Sequence, residues 1–332
     1  MDSPAIEAAM AFIAKNKVII SSVVGSVLGF VILRRHLAGG VCVSKKRLDG
    51  KTVIITGCNT GIGLETAKEL SARGARVIMA CRDLDRATKA CDIVKKFSGN
   101  TDISVQRLDL ASLDSVRKFA ERMNEKEERI DILINNAGVM MCPKWNSEDG
   151  YEMQFAVNHL GHFLLTNLLL DRIKKSSPSR IVNVSSTAHY RGKINFDDIN
   201  SEKDYSPMAA YAQSKLANVL FTKELSERLQ GTGVTTNTLH PGVINTELVR
   251  HIENRISPML FLLFRPLSIF LKTPVQGAQT TLHCALDERL DDISGKYFSD
   301  CEEKQPSQEA LNMEDAKRLW QVSEEMVANA GK

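Results

Sequence analysis

A short apolar run, Thr52-Val53-Ile54-Ile55-Thr56, empties directly into Gly57-Cys58-Asn59-Thr60-Gly61-Ile62-Gly63, and a helical period starts at once. This strand–turn–helix junction constrains the chain more than any other feature. Glycine tolerates positive φ and lets backbone approach closely. The helix behind it offers unpaired N–H groups and its positive dipole end. Three glycines alone read equally well as a plain turn. At the head of an α/β alternation they form a cradle for a diphosphate. Gly57, Asn59, Thr60, Gly61, Ile62 and Gly63 are the residues placed against it.

The alternation follows. Strands are expected at 52–56, 76–81, 103–108, 132–135, 180–185, 234–239 and near 296–298. Helices are expected at 62–73, 84–97, 113–128, 151–175 and 208–229. Repeated strand–helix–strand units imply right-handed crossovers and a mostly parallel sheet covered on both faces. The fold class is α/β, a single doubly wound Rossmann-type domain. The polar tail after Cys301 reads as a surface helix without assigned function.

The N-terminus is of another kind. Residues 18–33 carry no charge, with Lys15 and Lys17 before them and Arg34 and Arg35 after. Sixteen helical residues rise only ~24 Å, short of a ~30 Å hydrocarbon core, and Met10–Ala14 extend the stretch if the lysines snorkel. Two arginines directly after the run fit a retained anchor better than a cleaved signal. Asp2 and Glu7 weigh against a mitochondrial presequence. Denser positive charge on the C-terminal flank (Arg34, Arg35, Lys45, Lys46, Arg47) places a catalytic domain in the cytosol. The division expected is 1–40 for anchor and flank and 41–332 for the catalytic domain.

A net charge of +3 with mixed signs leaves no nucleic-acid footprint. Seven scattered cysteines without a CxxC pair argue for a reducing compartment and against a disulfide scaffold or a metal site.

The second expected strand ends at Cys81-Arg82-Asp83. An acid at this place grips a ribose 2′-hydroxyl; Cys81 there leaves a 2′-phosphate unrepelled, and Arg82 can pair with it. NADP is therefore favoured over NAD, with Asp83 arguing the other way and Arg82 as a solvated strand end the plain alternative. Asp109 and the turn Asn135-Asn136-Ala137-Gly138 stand at further strand ends on the same side. There Asp109 suits the adenine edge, and Asn135, Ala137 and Gly138 suit the ribose.

At the chemical end, Tyr211 and Lys215 are one helical turn apart. A phenol titrates near ~10, too high for acid/base work at neutral pH, and a neighbouring ammonium and an oxidised nicotinamide are expected to lower it. Ser186 ends the strand motif Asn183-Val184-Ser185-Ser186 and can hydrogen-bond a carbonyl oxygen. Asn158, in Val157-Asn158-His159-Leu160-Gly161, is an amide in an apolar helix and needs a partner. Ordering a relay water beside Lys215 would supply one; a structural kink at Asn158 and Gly161 is the alternative. Pro241 and Gly242 follow a strand, and the Thr246 hydroxyl beyond them suits a nicotinamide carboxamide. His159 and His162 are assigned to packing.

Taken in order, Thr-Gly-x3-Gly-x-Gly at 56–63, Asn-Asn-Ala-Gly at 135–138, Ser186, Tyr211-x3-Lys215 and Pro241-Gly242 resemble the short-chain dehydrogenase/reductase family. Asn158, Ser186, Tyr211 and Lys215 look like its catalytic tetrad. Gly138-Val139-Met140-Met141-Cys142-Pro143, Asn158-His159-Leu160-Gly161-His162-Phe163 and Ser294-Gly295-Lys296-Tyr297-Phe298 are similar to its membrane-bound retinol dehydrogenase branch. That resemblance implies NADP-dependent reduction of retinal at the endoplasmic reticulum, a mitochondrial membrane being the alternative. Cys58 departs from the branch, which usually has alanine there.

The segment expected to form a substrate lid, 247–275, contains a proline-broken apolar run at 256–271. It is too short to span a bilayer and reads either as a core helix or as a lid dipping into the interface. With the anchor, it favours a long apolar aldehyde or alcohol. Retinoid comes first, then steroid ketones and lipid-derived aldehydes; a non-catalytic dinucleotide-binding membrane scaffold is the reading from another class. The sequence leaves the oligomeric state open, with a homodimer one candidate.

Overall fold

The computed structural model describes residue 12 and residues 14–244 and 271–330, in two units, Met1–Gly39 and Gly40–Lys332. Within the first unit, helix α1 (Lys17–Ala38) runs for 22 residues, or ~33 Å. The helix continues through Lys17 and the two arginines, which makes up the shortfall of the uncharged stretch. By length and composition it can cross a membrane. Val18, Ile19, Val23, Leu28 and Ile32 are exposed along it.

The second unit carries an eight-stranded sheet. In chain order the elements are β1 (Thr52–Thr56), α2 (Gly61–Ala72), β2 (Arg76–Cys81), α3 (Leu84–Ser98), β3 (Ile103–Arg107), α4 (Leu113–Lys126) and β4 (Ile132–Asn135). A π-helical stretch, Ala156–Leu160, then leads into α5 (Gly161–Lys175), followed by β5 (Ser179–Val184), α6 (Pro207–Arg228) and β6 (Val234–His240). The chain closes with α7 (Pro274–Leu286), β7 (Tyr297–Ser299), β8 (Glu302–Lys304) and α8 (Met313–Asn329). The strand order is β3-β2-β1-β4-β5-β6-β7-β8, parallel until the antiparallel edge pair β7–β8. The order reverses between β1 and β4, and the crevice beyond their carboxyl ends is where such sheets bind ligands.

Alternation along the strands splits the core in two. Ile54, Ile78 and Leu133 face the side covered by α4, α5, α6 and α8. Val53, Ile55, Val77 and Ile134 face the side covered by α2, α3 and α7. Burial on both faces explains why these strands read as continuous apolar runs.

Three expectations need correction. The single helix over 151–175 is interrupted, because the backbone widens to a π turn around Asn158. Helix α7 escaped notice, although Thr273-Pro274-Val275-Gln276 is a capping box with proline at the first position. The tail is no surface decoration: α8 buries Leu319, Trp320 and Val327. Trp320 meets Phe163 edge-on at 4.9 Å, stacks on Phe221 at 5.7 Å and lies under the Arg228 guanidinium at 4.1 Å. Thr246 and residues 247–270 of the expected lid lie outside the described residues.

Trp320→Ala should therefore cost about 3–5 kcal/mol of stability, read as a lower urea midpoint at constant slope. A helix that merely lay on the surface would lose no more than about 0.5 kcal/mol.

Candidate active site

The carboxyl ends of β1 and β4 are joined by side chain and backbone. Thr56 Oγ1 accepts the Asn136 N–H at 2.9 Å and the Ala137 N–H at 3.0 Å. In return Asn136 Nδ2 donates to the Thr56 carbonyl at 2.8 Å and to that of Gly57 at 3.2 Å. Gly57 has φ +65°, and a Cβ there would stand 2.8 Å from the Cα of Ala137; one at Gly63 would stand 2.6 Å from Asn136 Nδ2. The turn is thus glycine because two strand ends touch.

Next to it opens a cavity of about 280 Å³ lined by Gly57, Asn59, Thr60, Gly61, Ile62, Gly63, Arg82, Asp109, Ala137 and Gly138, all expected from sequence. The cradle fits a dinucleotide's diphosphate and adenosine half: small residues line it where backbone must come close, and α2 begins in it. Asn135 is not on the wall. Its amide is buried in the sheet, donating to Thr166 Oγ1 and Asn183 Oδ1 at 3.0 and 2.8 Å. The wall residue is Asn136, one past the strand end, which periodicity could not distinguish from its twin. Arg86 was also missed; it lines the cavity with Arg82 one turn before it. Asp83 lines it too, but its carboxylate caps α3, accepting the Arg86 N–H at 3.0 Å.

Gly138 connects the two halves of the site. A Cβ on it would lie 3.2 Å from Asn158 Oδ1 and 3.5 Å from Lys215 Nζ. Asn158 grips the adjacent residue from both sides, accepting the Val139 N–H at 2.8 Å and donating to the Val139 carbonyl at 2.9 Å and to Ser214 Oγ at 2.9 Å. The amide thus finds its partners in this backbone. Lys215 Nζ donates to the Val184 carbonyl at 3.2 Å, and burial brings its pKa down to about 8.

Tyr211 is buried in α6. Burial raises its pKa to about 12, with the Ser186 hydroxyl pulling it back. The ammonium of Lys215 is 5.7 Å from the ring centroid, and Lys215 Nζ is engaged with the Val184 carbonyl. Ser185 is spent on the Lys215 carbonyl at 2.7 Å, so Ser186 is the hydroxyl that faces the phenol. Gly242 ends the β6 turn with φ +102° beside Lys272, which is paired with Asp300.

Four histidines around the site are held neutral. His189 Nε2 accepts the Ser307 N–H at 3.1 Å, so Nδ1 carries the proton and donates to the Ser186 carbonyl at 2.7 Å. His240 Nδ1 accepts the Thr187 N–H at 3.3 Å; burial lowers its pKa to about 4. His162 donates from Nδ1 to the Asn158 carbonyl at 3.1 Å and accepts the Thr56 hydroxyl at Nε2 at 2.9 Å, its pKa lowered by burial to about 4. His159, lowered by burial to about 3, packs against Phe155, Phe163 and Phe221. The packing assignment for His159 and His162 agrees with this geometry.

The chain matches the family model described as short chain dehydrogenase over residues 51–256, from the edge of β1 past β6. It belongs to that family. The enzyme is accordingly an oxidoreductase, on a fold that binds a nicotinamide dinucleotide. It is 55% identical over 295 residues to human (Homo sapiens) Retinol dehydrogenase 12, covering 89% of this chain and 92% of that one. It is 53% identical over 312 residues to mouse (Mus musculus) Retinol dehydrogenase 13, covering 93% of each. Among solved structures, an uncharacterized protein from Mycobacterium Paratuberculosis superposes with TM-score 0.69 at 36% identity, over 89% of this enzyme and 99% of that chain. A short chain dehydrogenase from Shigella flexneri complexed with NADP shares the fold, with TM-score 0.60 at 22% identity over 76% and 98%.

Asn158→Ala would leave the Val139 N–H and carbonyl unpaired at the seam between the two halves. A loss of about 1–3 kcal/mol is expected in urea unfolding, together with weaker dinucleotide binding; an unchanged midpoint would refute the clamp.

Proposed function

We propose that the enzyme is an NADP-linked retinoid oxidoreductase that reduces retinal to retinol at a membrane, with Tyr211 as proton donor. One observation carries the reading. The Tyr211 phenol is buried beside Ser186, one turn from Lys215, and Gly138 brings the lysine to the rim of the dinucleotide cavity. Retinoid as substrate is supported by the names of relatives more than half identical over nine-tenths of the chain.

The phenol and the Ser186 hydroxyl converge on the position of a substrate carbonyl oxygen and polarise it. The hydride would come from a dihydronicotinamide bound in the cavity. Tyr211 is protonated at neutral pH, the state a donor needs, so its proton passes to the alkoxide oxygen as the alcohol forms. Lys215, ammonium below about 8, stabilises the phenolate left behind and would hold the ribose hydroxyls of a bound cofactor. Asn158 holds the Gly138–Val139 turn against Lys215. Pro241, Gly242 and Thr246 are assigned to the nicotinamide end.

NADP is preferred over NAD because Arg82 and Arg86 line the end of the cavity while the Asp83 carboxylate is directed to the α3 cap. Helix α1 is the membrane anchor in this reading, the basic flank after it supports a cytosolic catalytic unit, and the endoplasmic reticulum is the membrane assigned.

Full-length enzyme in detergent should oxidise NADPH with all-trans-retinal. Tyr211→Phe should lose about 10²–10⁴-fold in kcat while still binding NADPH; full activity would remove Tyr211 as the acid. Turnover of steroid ketones or lipid aldehydes alone would replace the substrate. Arg82→Ala should lower the NADPH-over-NADH preference in kcat/KM by about 10–100-fold, and an unchanged ratio would sink the assignment of the 2′-phosphate.

A further inference from the structure

Cys58 lies within the glycine turn. Its thiol is 3.9 Å from that of Cys81, the last residue of β2. Both side chains are buried, at 0% and 2% exposure, yet Cys81 is part of the cavity wall. The route to the pair therefore runs through the space a dinucleotide would fill. The two sulfurs differ. The Cys58 hydrogen bond favours the Cys81 thiolate, and the backbone N–H groups of Cys58, Asn59 and Gly57 add to it against the cost of burial. Burial holds Cys58 as a thiol, whose one S–H has the Cys81 sulfur and the Ile55 carbonyl, at 3.2 Å, as alternative acceptors.

We propose that Cys58 and Cys81 are a reversible oxidation site, which hydrogen peroxide entering the cofactor cavity converts to a disulfide that weakens dinucleotide binding. The Cys81 thiolate attacks one peroxide oxygen. The O–O bond breaks, and the departing hydroxide takes up the proton that Cys81 released on forming the thiolate and leaves as water. The Cys58 sulfur then attacks the resulting sulfenic acid. The S–O bond breaks, the S–S bond forms, and hydroxide leaves as a second water with the Cys58 proton. Two thiols lose two electrons, and one peroxide becomes two waters. The sulfurs must close from 3.9 Å to about 2.05 Å. That motion displaces the turn that lines the cavity and that packs at Gly57 against Ala137 and at Gly63 against Asn136. A bound dinucleotide, by filling the route, protects the pair.

The effect on binding rests on the cofactor reading above, but the cross-link does not. Cleavage after Lys51, Lys68, Arg76 and Arg82 puts the two cysteines on separate peptides, 52–68 and 77–82. Full-length enzyme treated with peroxide should yield these peptides cross-linked, and saturating NADPH should slow the cross-link about tenfold or more. The NADPH Kd, read by fluorescence, should rise about tenfold or more and return after dithiothreitol. In Cys58→Ala, peroxide should leave the Kd ratio near one, and dimedone should trap the sulfenic acid on Cys81. Absence of the cross-linked pair, or a cross-link with unchanged Kd, overturns the proposal. A reduced enzyme that fails to bind NADPH overturns the cofactor reading and the regulatory half of this one, while the peptide map still decides the thiol chemistry.

Discussion

The site depends on the contact between two strand ends, where Gly57 lies against Ala137. A Cβ at Gly57 would stand 2.8 Å from the Ala137 Cα, so side-chain-free backbone is the only chain that fits. Thr56 and Asn136 hold the contact with four hydrogen bonds, three of them no longer than 3.0 Å. Because β1 and β4 flank the reversal in strand order, closing this seam shapes the crevice and aims the start of α2 into it. The glycines are consequences of the seam as much as of any ligand.

From that seam, order passes to the chemical end through buried polar contacts. Thr56 reaches His162, His162 reaches the Asn158 carbonyl, and the Asn158 amide clamps Val139. Asn158 lies in the π turn, a feature frequent at functional sites, and its carbonyl takes the His162 Nδ1–H. Burial then sets protonation. It lowers the pKa of Lys215 to about 8 and raises that of the Tyr211 phenol, so the unliganded protein holds a neutral donor near a lysine that is still an ammonium at neutral pH. The neutral histidines act as fixed dipoles, and each proton position follows from an obligatory backbone partner where one is present.

The C-terminal segment supports this arrangement from behind. Ser323 on α8 hydrogen-bonds His159 at 2.9 Å, and the Ser307 N–H fixes the tautomer by which His189 holds Ser186. A tail that is polar in composition thus contributes one apolar stripe to the core and one donor to the active site.

Much was legible in the sequence, and for a physical reason. Glycine placement, strand and helix periods and the i, i+4 spacing of Tyr211 and Lys215 are local, so the chain states them directly. The parallel sheet, the phosphate turn and the family follow from these. Other features depend on partners far along the chain. Asn135 and Asn136 are adjacent and chemically identical, and only the sheet decides which one reaches the cavity. The split of the helix at Asn158, the docking of α8 and the upward shift of Tyr211 all arise from burial, which no local pattern encodes. The same is true of Cys58 and Cys81, separated by 23 positions and brought into contact by parallel pairing of β1 with β2. Residue type and spacing determined the chemistry on offer; only packing decided which groups meet and in what charge state.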